Sequence, residues 1–357
     1  MNHPKQIIVK DWAFKSALLS LSLLITSRAQ AFEYQDYEKR IKTSYSIQNV
    51  IEKFPKRELE DVLRNFIASG RPSRMPGSSG HSNSRDYIEA KLKTFNSTGA
   101  TSSKQEFSAT NDDKKSFTGV NLVWEKKGAT QPDEILYLTA YYDTKLIDSK
   151  TQKTITKGEM PGADNNGTGV SALLSMIEIF NKLELPKTVK IVFLDSETVD
   201  AQGSKALAQS QIFLGDLNSK KVNGLINVVM IGHDTRTGDI DKKGSNMKIY
   251  TRSKADFAID EVYAQTLMKA GSRNFNTVNF TVNEENSVKN IYIPETLKSF
   301  STTKIPVVSF SQNREGDLNP RLWTSNDFVE TLNINTYLNV FKYVTSAALS
   351  WNYDIVK

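Results

Sequence analysis

Pro161-Gly-Ala-Asp-Asn-Asn-Gly-Thr-Gly169 is the stretch on which the fold turns. It closes a polar loop, Asp143 to Gly162, and opens a strongly apolar segment, Gly167 to Leu183. Asn and Thr suit the first turn of a helix, because their side-chain oxygens accept from backbone N–H groups left without helical partners. The apolar segment that follows reads as a buried helix. After it, Val189 to Leu194 (VKIVFL) is a near-continuous apolar run, the pattern of a strand covered on both faces. Before the loop, Glu134 to Tyr142 (EILYLTAYY) reads as another strand.

Working outward, Gly119 to Lys126, Leu225 to Ile231, Met247 to Thr251 and Pro306 to Phe310 also read as strands. Lys126 to Asp133 reads as the turn between Gly119 to Lys126 and Glu134 to Tyr142. Arg85 to Phe95, with Tyr87, Ile88, Leu92 and Phe95 near helical spacing, predicts an amphipathic helix. Asp256 to Ala270 and Ile334 to Trp351 read as further helices, and Gly70 to Ser84 as a Gly/Ser/Pro-rich loop. Strands alternating with helices predict an α/β fold: three layers, α/β/α, around a central mixed, mostly parallel sheet. In such sheets ligand sites gather at the carboxyl ends of strands.

The chain has 357 residues, no Cys and three His. Disulfides and Cys ligands are therefore excluded. Lys5, Lys10 and Lys15, the apolar run Ser16–Thr26 and Ala29-Gln30-Ala31 have the layout of a cleavable signal peptide over residues 1–31. The expected location is periplasmic or secreted. The run is short for a bilayer span, and no later segment approaches that length. The net charge is +6. The leader carries four basic side chains against one acidic, which leaves about +3 for the rest, too little to argue for nucleic acid. Residues 32–75 read as an N-terminal helical extension, and 76–357 as the main domain.

Five segments carry the chemistry: Ala140-Tyr-Tyr-Asp-Thr144, the 161–169 stretch, Phe193-Leu-Asp-Ser-Glu-Thr198 with Gly203-Ser204, Asn227-Val-Val-Met-Ile-Gly232, and Asn319-Pro-Arg-Leu-Trp-Thr-Ser-Asn-Asp327 with Leu332-Asn333. In this order and spacing, over roughly residues 75–350, the chain resembles the M28 family of zinc aminopeptidases and carboxypeptidases. That resemblance implies the zinc-exopeptidase fold. It also implies two zinc ions about 3.5–4 Å apart, activating a shared water. The ligands would be His, Asp and Glu, and a Glu beside a ligand would take the proton from the water.

Carried over position by position, the family's ligands fall on Tyr141, Asn165, Thr198, Val229 and Trp323. The general base falls on Glu197, and an orienting Asp on Asp143. None of the five ligand positions keeps a His or a carboxylate. Val has no donor atom, Trp's indole only donates, and Tyr would ligate only as a phenolate. Asp164 looks like a ligand, but counting back from Gly169 gives that role to Asn165, and Asp164 becomes an N-cap or turn residue. Tyr141, Val229 and Trp323 either pack together and fill the vacated space or form a recognition surface.

The expectation is an exported, catalytically inactive pseudo-peptidase with no cofactor, which binds a peptide or protein in the former cleft. Glu197 and Asp143 would be vestiges. The alternative is an active aminopeptidase or other exopeptidase with an atypical metal site, with zinc as cofactor and Glu197 as base. Asp143, Asp164 and His233 would be available to such a site, although a lone loop His such as His233 is more often simply exposed.

Overall fold

The computed structural model describes residues 39, 42–96, 99–235, 245–252, 254–275, 278–284 and 295–355. The signal-peptide expectation for 1–31 lies outside them. The chain divides into two units, 1–46 and 47–357. Of the first, the described residues are helical. The second carries the fold.

Among the described residues, eight strands form one sheet: β1 (Ala100–Thr110), β2 (Ser116–Lys126), β3 (Gln131–Tyr141), β4 (Lys187–Leu194), β5 (Lys221–Val229), β6 (Ser245–Thr251), β7 (Val278–Glu284) and β8 (Val307–Gln312). Their spatial order is β1-β2-β4-β3-β5-β8-β6-β7. The central strands β4, β3, β5 and β8 run parallel, as do β6 and β7. The β1–β2, β2–β4 and β6–β8 pairs are antiparallel. The sheet is mixed and mostly parallel, as expected.

Alternation along the central strands separates two apolar cores. Leu136, Leu138 and Ala140 of β3, with Ile191 and Phe193 of β4, face one core. Ile135 and Tyr137, with Val192 and Leu194, face the other. All of β4 is buried, because helices cover both faces. The first core is closed by α1 (Lys56–Ser69), α2 (Ser79–Thr94), α3 (Thr168–Asn181), α6 (Lys254–Asn274) and α8 (Ile334–Asn352). The second is closed by α4 (Gln202–Gln209), α5 (Gln211–Ser219) and α7 (Glu295–Ser299). This is the three-layer arrangement.

β7, α4, α5 and α7 are not read from the sequence, and three further elements bear on the site and core. The expected loop 70–84 turns helical at Ser79, where the Ser78 hydroxyl accepts from His81 N at 3.1 Å as an N-cap. Gly80 is there because backbone approaches closely: a Cβ would lie 2.2 Å from Ser73 O and 2.3 Å from Gly70 O. β1 (ATSSKQEFSAT) is too polar to stand out in sequence; as an edge strand it pairs only with β2, and its polar side chains blunt the open edge. Helix α1, inside the stretch read as an N-terminal extension, places Leu59, Leu63, Phe66 and Ile67 in the first core.

That packing is directly testable. Leu63 is fully buried, so Leu63→Ala should cost about 2–5 kcal/mol in a urea titration of the full chain. A loss below about 1 kcal/mol would mean α1 is a loosely held appendage.

Candidate functional site

The parallel strands β3, β4, β5 and β8 end on the same edge of the sheet, at Tyr141, Leu194, Val229 and Gln312. The loops that leave these ends build the site. Several residues here hold a left-handed backbone without being glycine: Ser196 (φ 55°), Met230 (φ 54°) and Trp323 (φ 58°). Such conformations cost free energy and persist only where surrounding contacts impose them.

The imposing contacts begin at Arg74. Its guanidinium is fully buried and donates to the carbonyl oxygens of Tyr142 (2.8 Å) and Gly162 (2.8 Å), and also to that of Pro161. Its backbone brackets Thr144, with Arg74 N donating to Thr144 Oγ1 and Thr144 N donating to Arg74 O, both at 3.1 Å. Burial lowers its pKa to about 10, with Asp327 and Asp143 opposing the shift, so it stays charged at neutral pH. Asp327 in turn accepts from the backbone N–H groups of Asp164 and Asn165, both at 3.0 Å. Burial raises the Asp327 pKa, and the neighbouring Asp164 adds to the rise.

Asp164 is not an N-cap. No side chain caps α3, whose N-cap position is Gly167. Instead its buried carboxylate accepts from Gly232 N (2.9 Å) and Asn319 Nδ2 (2.9 Å), clasping the loop after β5 to the 319–327 loop. His81, fully inside, meets Asp195 at 2.5 Å and stacks on Tyr142 with ring centroids 5.3 Å apart. Asp195 also accepts from Val120 N (2.7 Å) and Ser196 Oγ (2.9 Å), so the group fastens α2 to the β4 end.

On this frame stand the residues singled out in the sequence. Tyr141 and Asn165 come together, the phenol donating to Asn165 Oδ1. Burial pushes the Tyr141 phenol well above its usual range, with the charge of Arg314 opposing, so it is neutral at physiological pH. Asn165 is fully buried, and its Nδ2 has no hydrogen-bond partner among the described residues. Asp143 accepts from Glu197 N (2.9 Å), Thr198 N (2.8 Å) and Thr198 Oγ1 (2.6 Å). Burial raises the Asp143 pKa to about 6 against these donors.

Glu197 accepts from Thr296 Oγ1 at 2.6 Å and from Ser204 N at 3.0 Å, linking the β4 end to α7 and α4. Burial carries its pKa to about 7, with Ser204 and Thr296 opposing. Val229 is fully buried, paired with Ser311 across β5 and β8. Trp323 is 38% exposed at the rim. Of the two outcomes open for Tyr141, Val229 and Trp323, apolar filling is overturned. Val229 is absorbed into the sheet, whereas Tyr141 and Trp323 line an open cleft of about 530 Å³.

The cleft is also lined by Lys145, Glu197, Thr198, Asp200, Lys205, Glu295, Thr296 and Arg314. Arg314 escaped the sequence reading. Its only signal is its place, four residues beyond the predicted strand Pro306–Phe310, where a parallel strand delivers side chains to a site. His233 does not join this group, nor is it exposed. Its side chain is 11% accessible, with Nε2 3.3 Å from Asp317 Oδ1. It borders a separate depression with Lys56, Arg321 and Asn333.

The site is thus an open cleft at the strand ends of a mixed α/β/α sheet. The sequence profile of Peptidase family M28 matches residues 121–348, and the chain belongs to that family. The Legionella pneumophila LapA aminopeptidase superposes with a TM-score of 0.65 at 15% identity, covering 86% of this chain and 75% of that one. A Zn-dependent exopeptidase from Parabacteroides distasonis gives 0.64 at 18%, covering 83% and 98%. Bacteroides thetaiotaomicron glutaminyl cyclase bound to N-acetylhistamine gives 0.63 at 18%, covering 82% and 97%. At these identities the likeness is one of fold.

Two consequences follow from the geometry. Arg74→Met would strand three buried carbonyls, each costing about 1–3 kcal/mol, so denaturant titration should show a loss above about 3 kcal/mol. A loss under 1 kcal/mol would show that the loops hold without it. Glu197 has a folded-state pKa of about 7 against 4.5 for the free group. It therefore favours folding most fully below about 4.5, and that contribution is lost as pH rises through 7. Glu197→Gln should accordingly gain Tm relative to the parent between pH 5 and 8. A constant Tm difference across that range would refute the assignment.

Proposed function

We propose that this M28 family chain binds a peptide in the strand-end cleft and does not hydrolyse it. The observation that carries the proposal is that the polar side chains at the expected metal positions are engaged in hydrogen bonds within the site. Tyr141 is a neutral phenol that donates to Asn165 Oδ1. Thr198 donates its hydroxyl to Asp143, whose two oxygens already serve two backbone N–H groups. Val229 offers no donor atom and Trp323 only a donor N–H. This set does not fit zinc, which takes thiolate, imidazole or carboxylate ligands. Among the described residues, no group of three or more His, Asp or Glu gathers closely enough to hold a metal ion.

Glu197 then has a holding role. Its carboxylate ties α7 and the first turn of α4 to the β4 end, where Glu197 lines the cleft. The open volume, with Tyr141 and Trp323 at its edge, supports binding. Aromatic side chains of this kind anchor ligands by large buried contact at low entropic cost. The signal-like leader supports an exported location, periplasmic or secreted.

Zinc titration by calorimetry, with metal analysis of the purified full chain, should give substoichiometric zinc and no Tm change on adding chelator. Chromogenic amino-acid amides should not be turned over. Stoichiometric tight zinc with turnover that Glu197→Gln abolishes would establish the competing reading of an active exopeptidase.

A further inference from the structure

Helix α6 packs through one face onto β6, β7, β8 and α8. Tyr263, Ala264, Leu267 and Ala270 are buried there. On the opposite face, Ala258, Ile259, Val262, Thr266, Lys269 and Arg273 recur at three- and four-residue spacing and so form one stripe. Val262 is 67% exposed and Ile259 48%, which makes Val262 the most exposed large apolar side chain among the described residues. Scattered apolar side chains on a surface need no explanation. Two neighbouring ones beside an exposed alanine, on a helix that already buries a full face, make a patch left open to solvent.

The charges at the two ends of the stripe indicate what covers it. Asp256 is exposed in the first turn, and Lys269 and Arg273 are exposed toward the last. None of the three forms an ion pair among the described residues. An acid at the start of a helix and bases at its end also suit the helix dipole, so their signs alone carry little. Their spacing about Val262 carries more. At 1.5 Å per residue, Asp256 lies about 9 Å to one side of Val262 and Lys269 about 10.5 Å to the other. A two-fold axis through Val262 therefore lays a second α6 antiparallel to the first, with each Asp256 level with Lys269 of the other copy. Arg273 falls beyond the overlap, at the rim. A parallel arrangement sets like charges together. The face is thus complementary to itself, and a symmetric contact makes each pairing twice. An unrelated helix would need the same gradient reversed.

We propose that α6 is the contact of a symmetric dimer, in which two copies of this chain pack their α6 helices antiparallel about Val262. Burial of Val262, Ile259 and Ala258 drives the association. The Asp256–Lys269 pairs set its direction, since exposed ion pairs add little strength. One helix face is small against the surfaces that stable dimers bury, so the dimer is reversible, with a Kd of roughly tens of micromolar. None of the residues lining the strand-end cleft belongs to α6.

Sedimentation velocity of the full chain, at concentrations up to about 300 μM, should show a monomer–dimer equilibrium. Val262→Glu, at an exposed helical position, should leave circular dichroism and Tm unchanged and weaken dimerisation at least tenfold. Asp256→Lys and Lys269→Glu should each weaken it at least threefold. Mixed one to one, those two variants should associate about as tightly as the parent, because both pairings in the mixed dimer again join opposite charges. A non-specific apolar patch gives no such rescue. A chain that stays monomeric throughout, a dimer indifferent to Val262→Glu, or an absence of rescue on mixing would overturn the proposal.

Discussion

The buried guanidinium of Arg74 is the interaction on which the strand-end loops depend. A charged group in the interior is tolerated only when its N–H groups are satisfied and its charge is balanced nearby. Arg74 meets the first condition with the carbonyls of Tyr142, Pro161 and Gly162, and the second with Asp327 and Asp143 in its field. Those carbonyls lie at the two ends of one loop, which leaves β3 and enters the turn before α3. A single side chain therefore fixes the distance between the segments that carry Tyr141 and Asn165. Asp327 extends the clamp by accepting two backbone N–H groups of the same turn, and Asp164 extends it to Gly232 and Asn319. The frame is built from hydrogen bonds between protein groups of segments far apart in sequence.

With the frame fixed, the side chains above it are free to change character. Buried polar atoms must find partners, and here they find one another: Tyr141 with Asn165, Thr198 with Asp143, Glu197 with Thr296 and Ser204. One exception, Asn165 Nδ2, sits at the position where the family resemblance expects a carboxylate shared by two ions. Apolar Val229 is absorbed into the sheet, where it stabilises by burial. Trp323 turns outward on a left-handed backbone and leaves the cleft open.

How far the sequence could be read depended on whether a residue's role was local or shared between distant segments. β4 was legible because burial on both faces leaves a continuous apolar run, and α3 and α8 because their apolar content is dense. β1 was not, since an edge strand with polar side chains has no pattern to distinguish it from a loop. The helical start at Ser79 was hidden by Gly80 and its serines, whose presence answers a close backbone approach and not helix propensity. Arg74, in the same Pro/Gly/Ser-rich segment, looked like an ordinary loop cation.

The sequence by itself determined the class of fold, the family, and the identity of the residues at the five expected ligand positions. These are properties of order, spacing and periodicity along one chain. Only the tertiary structure decided what those residues do now. Asp164 became a clasp joining three loops, Glu197 an anchor for α7, and His233 a neighbour of Asp317 away from the cleft. Arg314, unmarked in sequence, came to stand beside Tyr141. Each outcome turns on contacts between segments tens to more than a hundred and fifty residues apart, and such contacts exist only once the sheet has brought its strand ends to one edge.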